Sequence, residues 1–230
     1  TTAIALAGLK PLQPELDRIM LLHTVREIYQ YIGYNQRIGV NQPIAYYVGQ
    51  DARDSTHYLA ALFQTGLTMP DRDYYLKDDA KNAQFRADFE KYVAKLLAAS
   101  GDKDAASEAT RVMALETRIA NAHWTKVQNR DPIKTYNKVD LAGARKLAPG
   151  FDWDAFLQGA GVPADLINVN QPSYVQELAR LISMTPIADW RVYFRFKLLD
   201  AYAPYLPQAF EDAAFDFHER ALRGVTEQQP

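Results

Sequence analysis

"DAKNAQFRADFEKYVAKLLAASG", residues 79–101, decides the fold class of this chain. Phe85, Phe89, Tyr92, Val93, Leu96 and Leu97 recur at the three- and four-residue spacing that lines one face of a helix, and Gly101 supplies the stop. The same pattern continues on both sides. A helix is predicted from Pro14 to about Ile32, carrying Leu16, Ile19, Met20, His23 and Ile28, with Gly33 just past its end. Another runs from about Asp104 to Trp124, with Ala109, Val112, Met113, Glu116, Ile119 and Ala120 along one side. Pro172 opens a helix through Ile182, Pro186 one from Ile187 to Tyr202, and Pro207 a last one to Arg223. Short helices start at Asp140, ended by Pro149-Gly150, and in "DWDAFLQGA", 152–160.

The β signal is small by comparison. "PIAYYVGQD" (43–51) and "HYLAALF" (57–63) flank the polar turn "ARDST" and predict a hairpin, while "LINV" (166–169) is a candidate short strand. "QNRDPIKTYNKVD" (128–140) reads as a loop. The expected fold is mainly α: a multi-helix lobe of about eight helices with a small β-hairpin near the N-terminus.

The stretch between hairpin and helix, "GLTMPDRDYYL" (66–76), is too charged for a core strand and too aromatic for an ordinary solvated loop. Asp71 after Pro70 suits a turn, and Arg72 between Asp71 and Asp73 neutralises charge locally. Tyr74, Tyr75 and Leu76 have apolar bodies that can pin the loop against the helix starting near Asp79.

Composition narrows the function classes. With 230 residues there is enough chain for one large domain or two small ones; 48% hydrophobic and 23% charged residues are ordinary for a globular protein. The 26 basic and 28 acidic residues are well mixed and leave a net charge of −2, so no nucleic-acid partner is expected. No apolar run approaches the roughly 20 residues of a membrane-spanning helix. The absence of cysteine excludes disulfides, thiolate zinc sites and cysteine nucleophiles. Thr1 opens the chain without a methionine or a basic leader, and "GVTEQQP" closes it with no structural element. Both ends read as cut, so residues 1–230 are expected to be a single helical lobe within a longer protein.

Catalytic constellations are missing from the pattern. A helical zinc peptidase needs histidines at i and i+4, so both imidazoles leave one face, with a glutamate beside the first. Of the four histidines, His23, His57, His123 and His218, only His218 is followed by Glu, and its i+4 position is Leu222. An exposed helical pair beside Arg220 is the plainer reading. His57, near Asp51 and Asp54, fits a polar turn better than a metal site, and His123 sits at a helix end where the dipole favours it. No G-x-S-x-G, G-x-G-x-x-G or Walker loop occurs. In "RVYFRFKLLDAYAPYL" (191–206), Val192, Phe196 and Leu199 would be buried, with Arg191, Arg195 and Lys197 on flanking faces.

Several blocks, in order, resemble one family. "VGQDARDSTHYLAALFQTGLTMPDRDYYL" resembles the V-G-x-D…N-S…Q-x-G-L-x-L-P-x-R-D-Y-Y block of the neprilysin-type zinc metallopeptidases, which include endothelin-converting enzyme and bacterial relatives. "ALETRIANAHWTKVQNRDPIKTYNKVDLA" resembles its L-E-x-x-I-A…R-(N/D)-P…Y-N-K block. "VNQPSYVQELARLI", "DWRVYFRFKLLDAYAPYL" and "FHERALRGVTEQQP" resemble its following segments. The matching positions include Asp51, Gln64, Gly66, Pro70, Arg72, Asp73, Tyr74, Tyr75, Asp131, Pro132, Tyr136, Asn137 and Lys138, which the resemblance makes structural rather than catalytic. Thr68-Met69 before the proline and Ser55 after Asp54 depart from the family's pattern without disturbing its register.

The resemblance implies a two-lobed peptidase, in which a thermolysin-like lobe carries the zinc. A helical lobe closes over the site and admits small peptides; this chain resembles that second lobe. No residue here matches the family's zinc ligands, general base or substrate-backbone motif. The implied partners are the catalytic lobe of the same parent chain and peptide substrates. The implied location of the parent is the periplasm, cell envelope or extracellular space, although cytosolic bacterial members also leave a cytoplasmic one open. The absence of cysteine fits a bacterial member. The competing reading is a stand-alone, catalytically dead module that binds peptides or a protein.

Overall fold

The computed structural model describes residues 2–162 and 165–227. In chain order the first elements are α1 (Thr2–Ala7), α2 (Gln13–Met20) and α3 (Val25–Ile38), then β1 (Ile44–Asp51) and β2 (Asp54–Gln64). Next come α4 (Asp73–Leu76), α5 (Ala80–Ala99), α6 (Ala105–Ala122), α7 (Lys126–Asn129), β3 (Lys138–Asp140) and α8 (Leu141–Leu147). The series closes with α9 (Trp153–Ala160), β4 (Leu166–Val169), α10 (Pro172–Met184), α11 (Ile187–Tyr202) and α12 (Gln208–Ala214). The fold is mainly α, with the expected hairpin near the N-terminus.

Five expectations need correction. The helix expected over Pro14–Ile32 is two helices. Thr24 accepts from the Glu27 backbone N–H while Glu27 reaches back to Thr24, a capping box that starts α3 afresh. Gly33 therefore lies inside α3, and Gly39 at φ 69° is the stop. The hairpin turn is shorter than "ARDST": only Ala52 and Arg53 lie outside the strands, and Asp51 Oδ1 accepts from the Arg53 N–H at 3.0 Å. The loop over 128–140 takes in the end of α7 and the edge strand β3. The last helix ends at Ala214 and continues as a π-helical turn over Phe215–Ala221. Lys197 is buried rather than on a flanking face.

The chain divides into two compact units. The first comprises Thr1–Leu22, Met69–Thr117 and Ile187–Pro230. Its core explains why α11 shows no narrow apolar stripe: Trp190, Val192, Tyr193, Phe194, Phe196, Leu198 and Leu199 are all buried, while the side bearing Arg191 and Arg195 stays half-exposed. Phe89 of α5 meets Phe196 edge-on at 5.7 Å, and Tyr92 stacks on Phe217 of the π turn at 4.8 Å. Such ring pairs add specific geometry to area burial.

The second unit comprises His23–Thr68 and Arg118–Pro186. Its four-stranded sheet has the order β1-β2-β4-β3. β1–β2 and β3–β4 are antiparallel, and β2–β4 is parallel. The local hairpin thus gains two strands from far along the sequence. α3 and α9 pack closely: an ideal Cβ on Gly33 would lie 2.1 Å from the Phe156 carbonyl oxygen.

Candidate functional site

The family-like residues gather into polar anchors inside each unit. In the second unit the buried Asp51 carboxylate accepts from Lys138 Nζ at 2.7 Å, Tyr136 Oη at 2.9 Å and the Arg53 N–H. The Lys138 hydrogen bond, helped by the Arg53 amide, holds its pKa down to about 2. Arg53 covers the Tyr136 ring at 4.1 Å. Asp131 caps the turn through Pro132 by accepting from the N–H groups of Ile133 and Lys134. Asn137 donates to the carbonyls of Lys134 and Val169. Gln64 clamps the Trp124 backbone twice, accepting its N–H at 2.7 Å and donating to its carbonyl at 3.0 Å. Gly66, at φ 95°, has no room for a Cβ, which would sit 2.6 Å from Pro43 Cα.

In the first unit Tyr75 is buried, and its hydroxyl donates to Glu116 at 2.5 Å while accepting the Met69 N–H at 2.9 Å. Glu116 also faces Lys197 Nζ at 3.4 Å. Tyr74 lies against Phe85 at 5.1 Å, Asp73 pairs with Lys77 at 3.0 Å, Arg72 is half-buried ahead of α4, and Pro70 is exposed. The two blocks therefore meet repeatedly: at Asp51 with Tyr136 and Lys138, at Gln64 with Trp124, and at Tyr75 with Glu116. The Lys197–Glu116 pair escaped the sequence reading. Its only sequence mark is a charge at an otherwise apolar position on each of two helices.

The rings of His57, His123 and His218 each have a partner. His57 Nδ1 pairs with Asp54 at 2.8 Å on an exposed turn. His123 Nε2 donates to the Thr65 carbonyl at 3.0 Å. His218 is half-buried, not part of an exposed pair: Nε2 meets Asp200 at 2.8 Å, and Tyr92 donates to the same carboxylate oxygen at 2.6 Å. The His23 backbone N–H donates to Glu27 at 2.7 Å. Among the described residues no group of three or more His, Cys, Asp or Glu could hold a metal ion.

One cluster is poised to titrate. Arg195 pairs with both Asp102 and Glu108. Burial and the hydrogen bond to Asp102 push Glu108 from 4.5 up to about 7, against the pull of Arg195. Burial also opposes ionisation of Asp102, but its bonds from Glu108 and the Asp104 N–H keep it below the ordinary value. The folded state thus holds a proton on Glu108 that the unfolded chain releases. This contribution is complete below pH 4.5 and is lost as pH rises through about 7. Glu108→Gln, which keeps the donor, should raise the melting temperature at pH 8 and leave it unchanged at pH 5. The gain, discounted for solvent screening, is about 1 kcal/mol. Thermal melts of both proteins across that range check it; parallel curves would rule the shared proton out.

The likeness of this architecture is to zinc metallopeptidases as a class. It matches the zinc metalloprotease Zmp1 of Mycobacterium tuberculosis in complex with inhibitor, with a TM-score of 0.93 and 33% identity over 100% of this chain and 36% of that one. The same enzyme in its open state gives 0.93 at 32% identity, with the same coverage. PepO from Lactobacillus rhamnosis shares the fold, with a TM-score of 0.76 at 21% identity, over 95% of this chain and 35% of that one. Among curated relatives, endothelin-converting enzyme 1 of Mus musculus is 30% identical over 182 residues, which is 75% of this chain and 23% of the relative. The Rattus norvegicus protein is 29% identical over the same length, 75% of this chain and 24% of that protein. The chain belongs to peptidase family M13, whose N-terminal sequence profile matches residues 1–230. It spans about a quarter of the curated relatives and about a third of the solved structures it matches.

Proposed function

We propose that this chain is the substrate-gating helical lobe of a longer, neprilysin-like zinc metalloendopeptidase that hydrolyses small peptides. The observation that carries the reading is the family match along the whole chain, set against family-like residues that anchor loops and strands rather than converge on a reacting centre. The catalytic lobe of the same polypeptide supplies zinc and its general base. The helical lobe contributes enclosure: it limits entry by size and excludes water when the site closes on a peptide. Such a role needs shape and rigidity more than titratable side chains. The parent works in the periplasm, at the cell envelope or outside the cell, a part of the reading that rests on the family resemblance.

The test is metal analysis and peptide hydrolysis by residues 1–230 expressed alone and supplied with zinc. The expected result is no stoichiometric zinc and no chelator-sensitive cleavage, with both appearing once the sequence beyond residue 230 is joined. Enzyme-like, chelator-sensitive cleavage by the short chain would overturn the reading.

A further inference from the structure

We propose that the outer edge of β1 is where the rest of the full-length polypeptide docks, by adding an extended apolar segment as the next strand of the sheet. The inference rests on the reading above that the chain is one lobe of a longer peptidase, and it assigns that partnership a surface.

β1 is a terminal strand of its sheet and runs for 8 residues, Ile44–Asp51. Unpaired edges of that length template further pairing, so proteins blunt them with proline, lysine, mid-strand bulges or a covering element. β1 has no proline and no lysine, and its one irregularity comes at Gln50/Asp51, near the end. The opposite edge, β3, is only 3 residues long and leads directly into α8. Gln36 Nε2 caps the Ile44 carbonyl at 3.0 Å; beyond that, among the described residues, nothing pairs with the outer edge.

The side chains beside this edge are apolar and open to solvent. Tyr47 is 53% exposed, Val48 59% and Tyr58 75%. The register pairs Val48 with Ala60 and Gln50 with Tyr58, so Val48 and Tyr58 share one face of the hairpin. Tyr47, paired with Ala61, lies on the other face. Strand addition uses this combination: main-chain hydrogen bonds along the edge, and alternate side chains contacted on each face. Charge does not oppose an apolar strand, because the only charged group of β1, Asp51, is buried and paired with Lys138.

The relatives indicate the occupant. This chain is 24% of endothelin-converting enzyme 1 from Rattus norvegicus and 36% of the Mycobacterium tuberculosis metalloprotease, so most of such a polypeptide lies outside residues 1–230. A covalently attached segment also has a high effective concentration, so it outcompetes a free peptide for the same edge.

The experiment uses the full-length protein. A photo-crosslinking phenylalanine analogue is placed at Val48 or at Tyr58, both exposed, and crosslinked peptides are mapped after irradiation. Hydrogen exchange of the β1 amides is followed in the unmodified protein. The expected results are intramolecular crosslinks to residues beyond 230 and slowing of the outward β1 amides by about a hundredfold or more. Crosslinks confined to residues 1–230, to a second copy or to added peptide, or rapid exchange along the edge, would overturn the docking assignment. A full-length enzyme that is active and binds zinc yet gives those outcomes would sink this inference alone. A gene that ends near residue 230 would sink the proposed function with it.

Discussion

Lys197→Met is expected to destabilise the chain by about 3–5 kcal/mol, the usual cost of leaving one buried charge without its partner. Lys197 is 1% exposed and Glu116 0%, with Nζ 3.4 Å from Oε1. The other Glu116 oxygen accepts the Tyr75 hydroxyl, and Tyr75 in turn accepts the Met69 N–H. Removing the ammonium takes the facing charge away from a fully buried carboxylate that still accepts from the Tyr75 phenol. The carboxylate must then take up a proton or draw in water. For a chain of this size the loss corresponds to a fall of about 10 °C or more in melting temperature. The paired variant Lys197→Met with Glu116→Gln separates the lost attraction from the stranded charge. Glutamine keeps an acceptor for Tyr75 and carries no charge, so the double variant should recover most of the loss. Urea unfolding of the three proteins decides it. If the single variant loses less than about 1 kcal/mol, or the double variant is no better, the pair is not what secures the Tyr75 loop to α6 and α11.

Much of the fold could be read from periodicity, and the failures have physical causes. α11 was predicted as Ile187–Tyr202 and is found there, and β4 coincides with "LINV", because flanking prolines and short apolar runs are local marks. The break between α2 and α3 was also written locally, as Thr24 and Glu27 three residues apart, but the apolar spacing runs through it and hid the cap. β3 could not be read, since its three residues become a strand only by pairing with β4, some 28 positions away. The site followed the same rule. Asp51, Tyr136 and Tyr75 were recognisable as members of sequence blocks, yet what each one holds depends on a partner between 41 and 87 residues distant. Lys197 shows the limit most clearly. A lysine on an aromatic helix ordinarily extends its amine to water, and the facing carboxylate of Glu116, 81 residues earlier, helps to make burial tolerable.

Gly159→Ala should cost about 3 kcal/mol or more, although at an open helical position the same change stabilises by about 1 kcal/mol. α3 and α9 meet through reciprocal glycines. An ideal Cβ on Gly159 would lie 2.0 Å from the Gln30 carbonyl oxygen, and one on Gly33 2.1 Å from that of Phe156. Both obstacles are main-chain atoms inside helices, so no rotamer change relieves them, and the helices must move apart. Separation would loosen the packing around Ile28, Ile32 and Phe156, all 0% exposed. Gly33→Ala should have a similar effect. Because either methyl already forces the helices apart, the double variant should lose clearly less than the sum of the two. Gly150→Ala in the same unit is the control: its Cβ would meet only Ala179 Cβ, at an ordinary 3.5 Å, and its φ is not positive. It should change stability by no more than about 0.5 kcal/mol. Denaturant melts of the four variants give the comparison. Neutral Gly33 and Gly159 substitutions would mean that the helices do not approach this closely, whereas additive losses would mean that the two contacts yield independently.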